Sequence, residues 1–138
     1  MSDLSVTAAN VKIKGSDAVT KIVQFGETMT AGQSAYLKTS DGKYWKADAN
    51  ASQEAAGAGG IVLVGAAGDA YGVIQVGGPM DVGATLTVGV PYIVSTTAGG
   101  IAPASDFSGY SGSWQTHLGY ATDTSTLYVK PFATGASN

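Results

Sequence analysis

Short runs of Val, Ile, Thr and Tyr recur from about Lys12 to Lys130, cut about every 8–12 residues by Gly, Asp-Gly or Gly-Gly. β-branched and aromatic residues suit a pleated surface, and glycine ends each run by accepting backbone angles that other residues avoid. A chain punctuated this way leaves little room for long helices. Its predicted fold is all-β: a compact barrel or sandwich of about nine to eleven short strands with one short helix and an extended N-terminal arm.

At 138 residues the chain suits one domain with a real core. The reading is an arm over 1–10, flexible or docking, a single β domain over 11–133, and a tail over 134–138. Charged residues make up only 12% of the chain, about half of the usual ~25%, so little charge repulsion keeps copies apart. That predicts a surface largely covered in the working state. The net charge is −3, with seven lysines and no arginine, which excludes the cationic face that nucleic-acid binders need. No run approaches the ~18 apolar residues of a membrane span, and Met1-Ser2-Asp3-Leu4 lacks the features of a signal peptide. Expected partners therefore include neither nucleic acid nor membrane, and the protein is expected to be made and used without export through a signal peptide. Without cysteine, stability must come from packing and assembly.

The clearest local signal is Thr39-Ser40-Asp41-Gly42 between Ser34–Lys38 and Lys43–Ala47, which predicts a hairpin. Val11-Lys12-Ile13-Lys14 alternates as a half-buried strand does, and Val19–Phe25 is a second candidate. Glu27–Ala31 and Thr85–Val88 are further short candidates. Asp48–Ala56 is the one helical window, with Asp48 or Asn50 as cap and Gly57 as stop. Ile61–Gly65 has no polar alternation, which predicts burial on both faces. Tyr71–Val76 follows, and Gly77-Gly78-Pro79 reads as a turn. Pro91–Ser95, Trp114–Ala121 and Thr126–Pro131 complete the strands, with a polar loop over 104–113.

Groups for chemistry are scarce. His117 is the single histidine, so zinc ligation lacks partners, and the neighbouring serines Ser108, Ser111 and Ser113 do not form a nucleophile elbow. The carboxylates sit mostly at presumed turns, where Asp bonds its own backbone. Gly57-Ala58-Gly59-Gly60 and Gly65-Ala66-Ala67-Gly68 lack the following helix and Lys-Ser/Thr of a phosphate loop. The residues predict neither an enzyme, nor a metal site, nor a cofactor. The aromatic set is rich in Tyr, which suits interfaces and strands alike. Tyr110 and Trp114, beside a Gly/Ser loop, are interface candidates.

Three stretches carry a family resemblance. They are Met29–Leu37 with Asp41–Ala49, then Pro91–Pro103 (Pro-Tyr-Ile-Val-Ser-Thr-Thr-Ala-Gly-Gly-Ile-Ala-Pro), then Leu118–Ala121 with Ser125–Val129. In this order they resemble small tailed-bacteriophage virion proteins of the head-decoration (capsid cement) and head-fibre type. The resemblance spans about residues 7 to 132 and implies a β protein, commonly a homotrimer, on the outer surface of the phage head. Its implied partners are the major capsid protein and other copies of itself, and it brings no catalytic residues. The arm and Val11–Phe25 are then the expected capsid-facing segment, with Ser5, Val6, Asn10, Val11, Ile13, Tyr110 and Trp114 as interface residues. An alternative is a tail-fibre or head-fibre module that stacks host glycan on Trp45, Tyr110 and Trp114. A hydrolase built on His117 is a third.

Overall fold

The computed structural model describes residues 3–138 and contains ten strands. They are β1 (Lys12–Ile13), β2 (Val19–Gln24), β3 (Ser34–Lys38), β4 (Lys43–Lys46), β5 (Gly60–Val64), β6 (Tyr71–Asp81), β7 (Pro91–Val94), β8 (Ile101–Pro103), β9 (Trp114–Ala121) and β10 (Leu127–Ser137). One helical turn, α1 (Gln53–Ala56), and two 3-10 segments, Ala8–Asn10 and Ala104–Gly109, complete the chain. The predicted all-β class holds.

The strands form one curled antiparallel sheet in the order β4-β3-β5-β6-β10-β9-β7-β8, with β1 and β2 also paired to β6. The long β6 is the axis. Its first half lies between β2 and β5, and its second half between β1 and β10. Beyond β2, Phe25 meets Tyr44 of β4 in an isolated parallel bridge, so β2, β6, β5, β3 and β4 curl round a small core. That core holds Val23, Phe25, Met29, Ala35, Tyr44, Val62 and Ile74. A larger core fills the concave side of the remaining strands with Met80, Leu86, Tyr92, Val94, Leu118, Leu127 and Val129. Neighbouring strand residues face opposite sides. Thus Ala35 enters the small core and Tyr36 the large one, and Val62 and Ile61 divide in the same way. This explains the apolar run of β5: its first residues form a wall between two cores. The run surfaces at Val64, which is exposed.

Several expectations need correction. Gly77-Gly78-Pro79 is not a turn between strands but the middle of β6. Gly78 takes φ +86 there, and the buried Gln75 amide donates to the carbonyls of Gly77, Gly78 and Pro79, so the bend stays within the strand. Thr85–Val88 is a loop whose Leu86 is buried and whose Thr87 N–H donates to Tyr92 Oη. Glu27–Ala31 contributes only a bridge from Met29 to Ala66. The helix is shorter than its window and is capped by Ser52, whose Oγ accepts from Ala55 N, while Asp48 accepts from Asn50 N instead. The segment read as a tail, 134–138, supplies the end of β10, with Ser137 paired to Trp114.

Residues 3–10 of the arm lie against their own domain. Leu4 N donates to Ile101 O, Thr7 N donates to Gly83 O, and Ser95 Oγ donates to Asp3 Oδ1. Val6 occupies the space that a Cβ on Gly32 would need. Met1 and Ser2 lie outside the described residues.

Candidate functional site: an exposed sheet face

The outer face of the small curl carries an apolar row. Ile22 of β2 pairs with Val73 of β6, and Val73 pairs with Val64 of β5. Tyr71, two residues before Val73, shares that face. Ile22 is 75% exposed, Tyr71 67% and Val64 53%. Val19, also exposed, extends the strand toward its start. Opposite faces explain the row: Val23 and Ile74 turn into the small core, so Ile22 and Val73 must turn out. Beside it Lys43 and Asp69 form an ion pair (2.7 Å), and Gln24 Nε2 donates to Asp69 O. The Asp69 carboxylate raises the Lys43 ammonium above its usual range.

The interface residues expected from sequence do not converge on this face. Ser5 and Asn10 line a shallow polar groove with Thr7, Lys12, Asp81 and Thr124. Val6 and Val11 pack beside Gly32, where no Cβ intervenes. Ile13 lies in β1, partly exposed, opposite Met80. Tyr110 follows the 3-10 segment Ala104–Gly109 and meets Phe107 edge-on at 6.3 Å; burial pushes its phenol up. Ser5 and Tyr110 do share a second cleft, with Asp3, Thr97 and Asp106. Trp114 starts β9 and donates its backbone N–H to Ala49 O.

The proposed aromatic platform is not the exposed set. Trp45 covers Gly26, donates Nε1–H to Asp41 (3.1 Å) and carries Lys38 Nζ over its ring at 4.5 Å. The exposed aromatics are Tyr71, Tyr120 and Phe132. Tyr120 stacks on Tyr128 (5.7 Å) in a row that ends in Pro91 and Pro79. His117 lies between Ile93 and Phe132 in register, two apolar neighbours. Among the described residues no group of three metal-ligating side chains converges, and no helix is long and apolar enough to cross a membrane.

Sequence reasoning placed Ile22 in a capsid-facing segment without singling it out. Its signal is the Ile22-Val23 doublet, since neighbouring strand residues face opposite sides and only Val23 enters the core. The class defined by these features is an all-β domain with an exposed apolar sheet face. No known protein family, curated protein or solved structure matches the chain.

Proposed function

We propose that this chain is a structural virion protein, a capsid decoration (cement) protein that binds the outer surface of a phage head. It stabilises contacts between capsomers, and its partners are the major capsid protein and its own copies in a homotrimer. The observation that carries this reading is the in-register row Ile22, Val73 and Val64 with Tyr71, in which Ile22, Val64 and Tyr71 are exposed and Val73 half-buried, beside the Lys43–Asp69 ion pair. Contiguous exposed apolar patches on a small domain are often its functional interaction surface. A shallow face gives modest affinity per copy. Many copies on a repeating shell, or three joined in a trimer, turn modest contacts into lasting occupancy. The resemblance of Met29–Leu37 with Asp41–Ala49, of Pro91–Pro103, and of Leu118–Ala121 with Ser125–Val129 to head-decoration proteins points the same way.

The test is gold-labelled antibody on intact particles of the phage that carries the chain, viewed by electron microscopy. Even label over the head is expected, and Ile22→Asp should reduce it at least tenfold. Label confined to tails or to a few projecting fibres favours the host-glycan reading. Unlabelled particles overturn the virion assignment. Light scattering should give about 41 kDa, three times the 13.8 kDa chain.

A further inference from the structure

A free sheet edge presents unpaired N–H and C=O groups, and natural sheets cover or blunt such edges. Most edges here are treated so. Tyr44 O on β4 accepts from Gly26 N, and Lys46 N donates to the Glu27 carboxylate. β8 is met by the arm, at Ile101 O. β10 past Val129 carries Pro131, which has no N–H to offer, and Ala136 N is satisfied by Thr134 Oγ1. β1 is only two residues long.

β2 is different. It has six residues, its first four are exposed, and its strand partner is β6 alone. Phe25 N bonds to Ala70 O on the β6 side. Hydrogen-bonding direction alternates along a strand, so Lys21 and Val23 bond toward β6 while Thr20 and Ile22 present N–H and C=O outward. A cleft of about 290 Å³ runs beside this edge toward the β3–β4 hairpin, lined by Lys21, Ile22, Leu37, Tyr44 and Tyr71.

Charge selects the occupant. Lys21 projects on the same side of β2 as Val23 and reaches Tyr44, with Nζ 3.4 Å from the hydroxyl and 5.7 Å from the ring centre. Lys43 and Lys46 have carboxylate partners in Asp69 and Glu27, whereas Lys21 has none among the described residues. Two β2 edges pairing about a two-fold axis would bring two such lysines to one face, which like-charge repulsion opposes. An acidic strand reverses the sign. We propose that the β2 edge accepts an extended acidic segment of the partner protein as an added strand. An Asp or Glu faces Lys21, and an apolar residue on the opposite face meets Ile22. This rests on the decoration reading and names how that contact is made.

The test is hydrogen exchange on the full chain, free and bound to phage heads stripped of it, with binding of variants to the same heads. Protection of Thr20 and Ile22 amides on binding is expected. Thr20→Pro removes one outward N–H and should weaken binding at least tenfold, while Thr20→Ala should not. Lys21→Glu should weaken it similarly, and Lys21→Arg should retain it. Normal head binding with unprotected β2 amides overturns the added strand but leaves the decoration reading standing. Full binding by Lys21→Glu overturns the acidic assignment. Protection that rises with concentration of the free chain means that β2 pairs with itself, which also overturns the proposal. Failure of the wild-type chain to bind heads removes both readings together.

Discussion

Gln75 shows how one side chain sets the path of the central strand β6. It is fully buried, and its Nε2 lies 3.1, 3.0 and 3.0 Å from the carbonyl oxygens of Gly77, Gly78 and Pro79. Three converging acceptors require a donor, so the amide orientation is fixed, and Oε1 is left without a partner among the described residues. An unpaired buried acceptor is costly, yet the donor side supports the bend by which β6 passes from one set of partners to the other. Gln75→Leu relieves Oε1 but removes the side-chain donor shared by three carbonyls, of which Pro79 O keeps the Lys14 N–H. The expected loss is about 1–3 kcal/mol in urea denaturation. Gln75→Glu, which turns an acceptor toward the same carbonyls, should lose more at pH 7. Equal losses would mean that the bend is held by Gly78 alone.

At the scale of the element, the β3–β4 hairpin carries its own pH sensor. Asp41 accepts from Lys43 N at 2.9 Å and from Trp45 Nε1 at 3.1 Å. The Lys43 backbone N–H, helped by the Trp45 indole and the charges of Lys38 and Lys43, holds the Asp41 carboxyl below its usual range. A depressed folded value means the stabilisation is complete above the unfolded value of about 3.9 and is lost as pH falls through the folded one. Asp123 behaves likewise, through the N–H of Ser125 and the hydroxyl of Thr126, so a global acid melt mixes the two. A local probe separates them. The Trp45 indole N–H resonance should move as pH falls below about 4, and Asp41→Asn should abolish that movement. The same hairpin was the most legible element, because Asp41-Gly42 announces its own chemistry, with Gly42 at φ +71. The bend of β6 was not, since Gly-Gly-Pro marks a turn unless a buried amide replaces the lost ladder, and nothing near Gln75 in the sequence says that it is buried. Residues 134–137 look like a tail because Thr-Gly-Ala-Ser has little β propensity; pairing with β9 overrides it. The exposed row was half legible. Ile22-Val23 and Ile61-Val62 are equivalent doublets in sequence, and only the second is sandwiched between two cores.

That shared wall decides how the whole molecule should unfold. Ile61 and Val62 are both fully buried neighbours on β5, yet one belongs to the large core and the other to the small one. Strand β6 lies against β5 and feeds both sets of strands. Neither core can lose this wall and keep its burial, so the two are expected to melt as one unit despite being separate clusters. Ile61→Ala should cost about 2–5 kcal/mol through its cavity, and Val62→Ala less because fewer atoms are removed. Each should shift the far-UV transition and the tryptophan signal by the same amount. Trp45 on β4 packs against the large core beside Gly26 of the small curl, and Trp114 starts β9, paired with the end of β10 and bonded through its backbone N–H to Ala49 O. Single-tryptophan versions of each variant therefore report from two places. Coincident midpoints in urea establish a single cooperative body, and an earlier midpoint at Trp45 in Val62→Ala would instead mean that the small curl opens alone. In the single-body case the exposed row on β2, β5 and β6 is presented by strands tied to the wall between the two cores. A docking face needs that rigidity to bind without first being ordered.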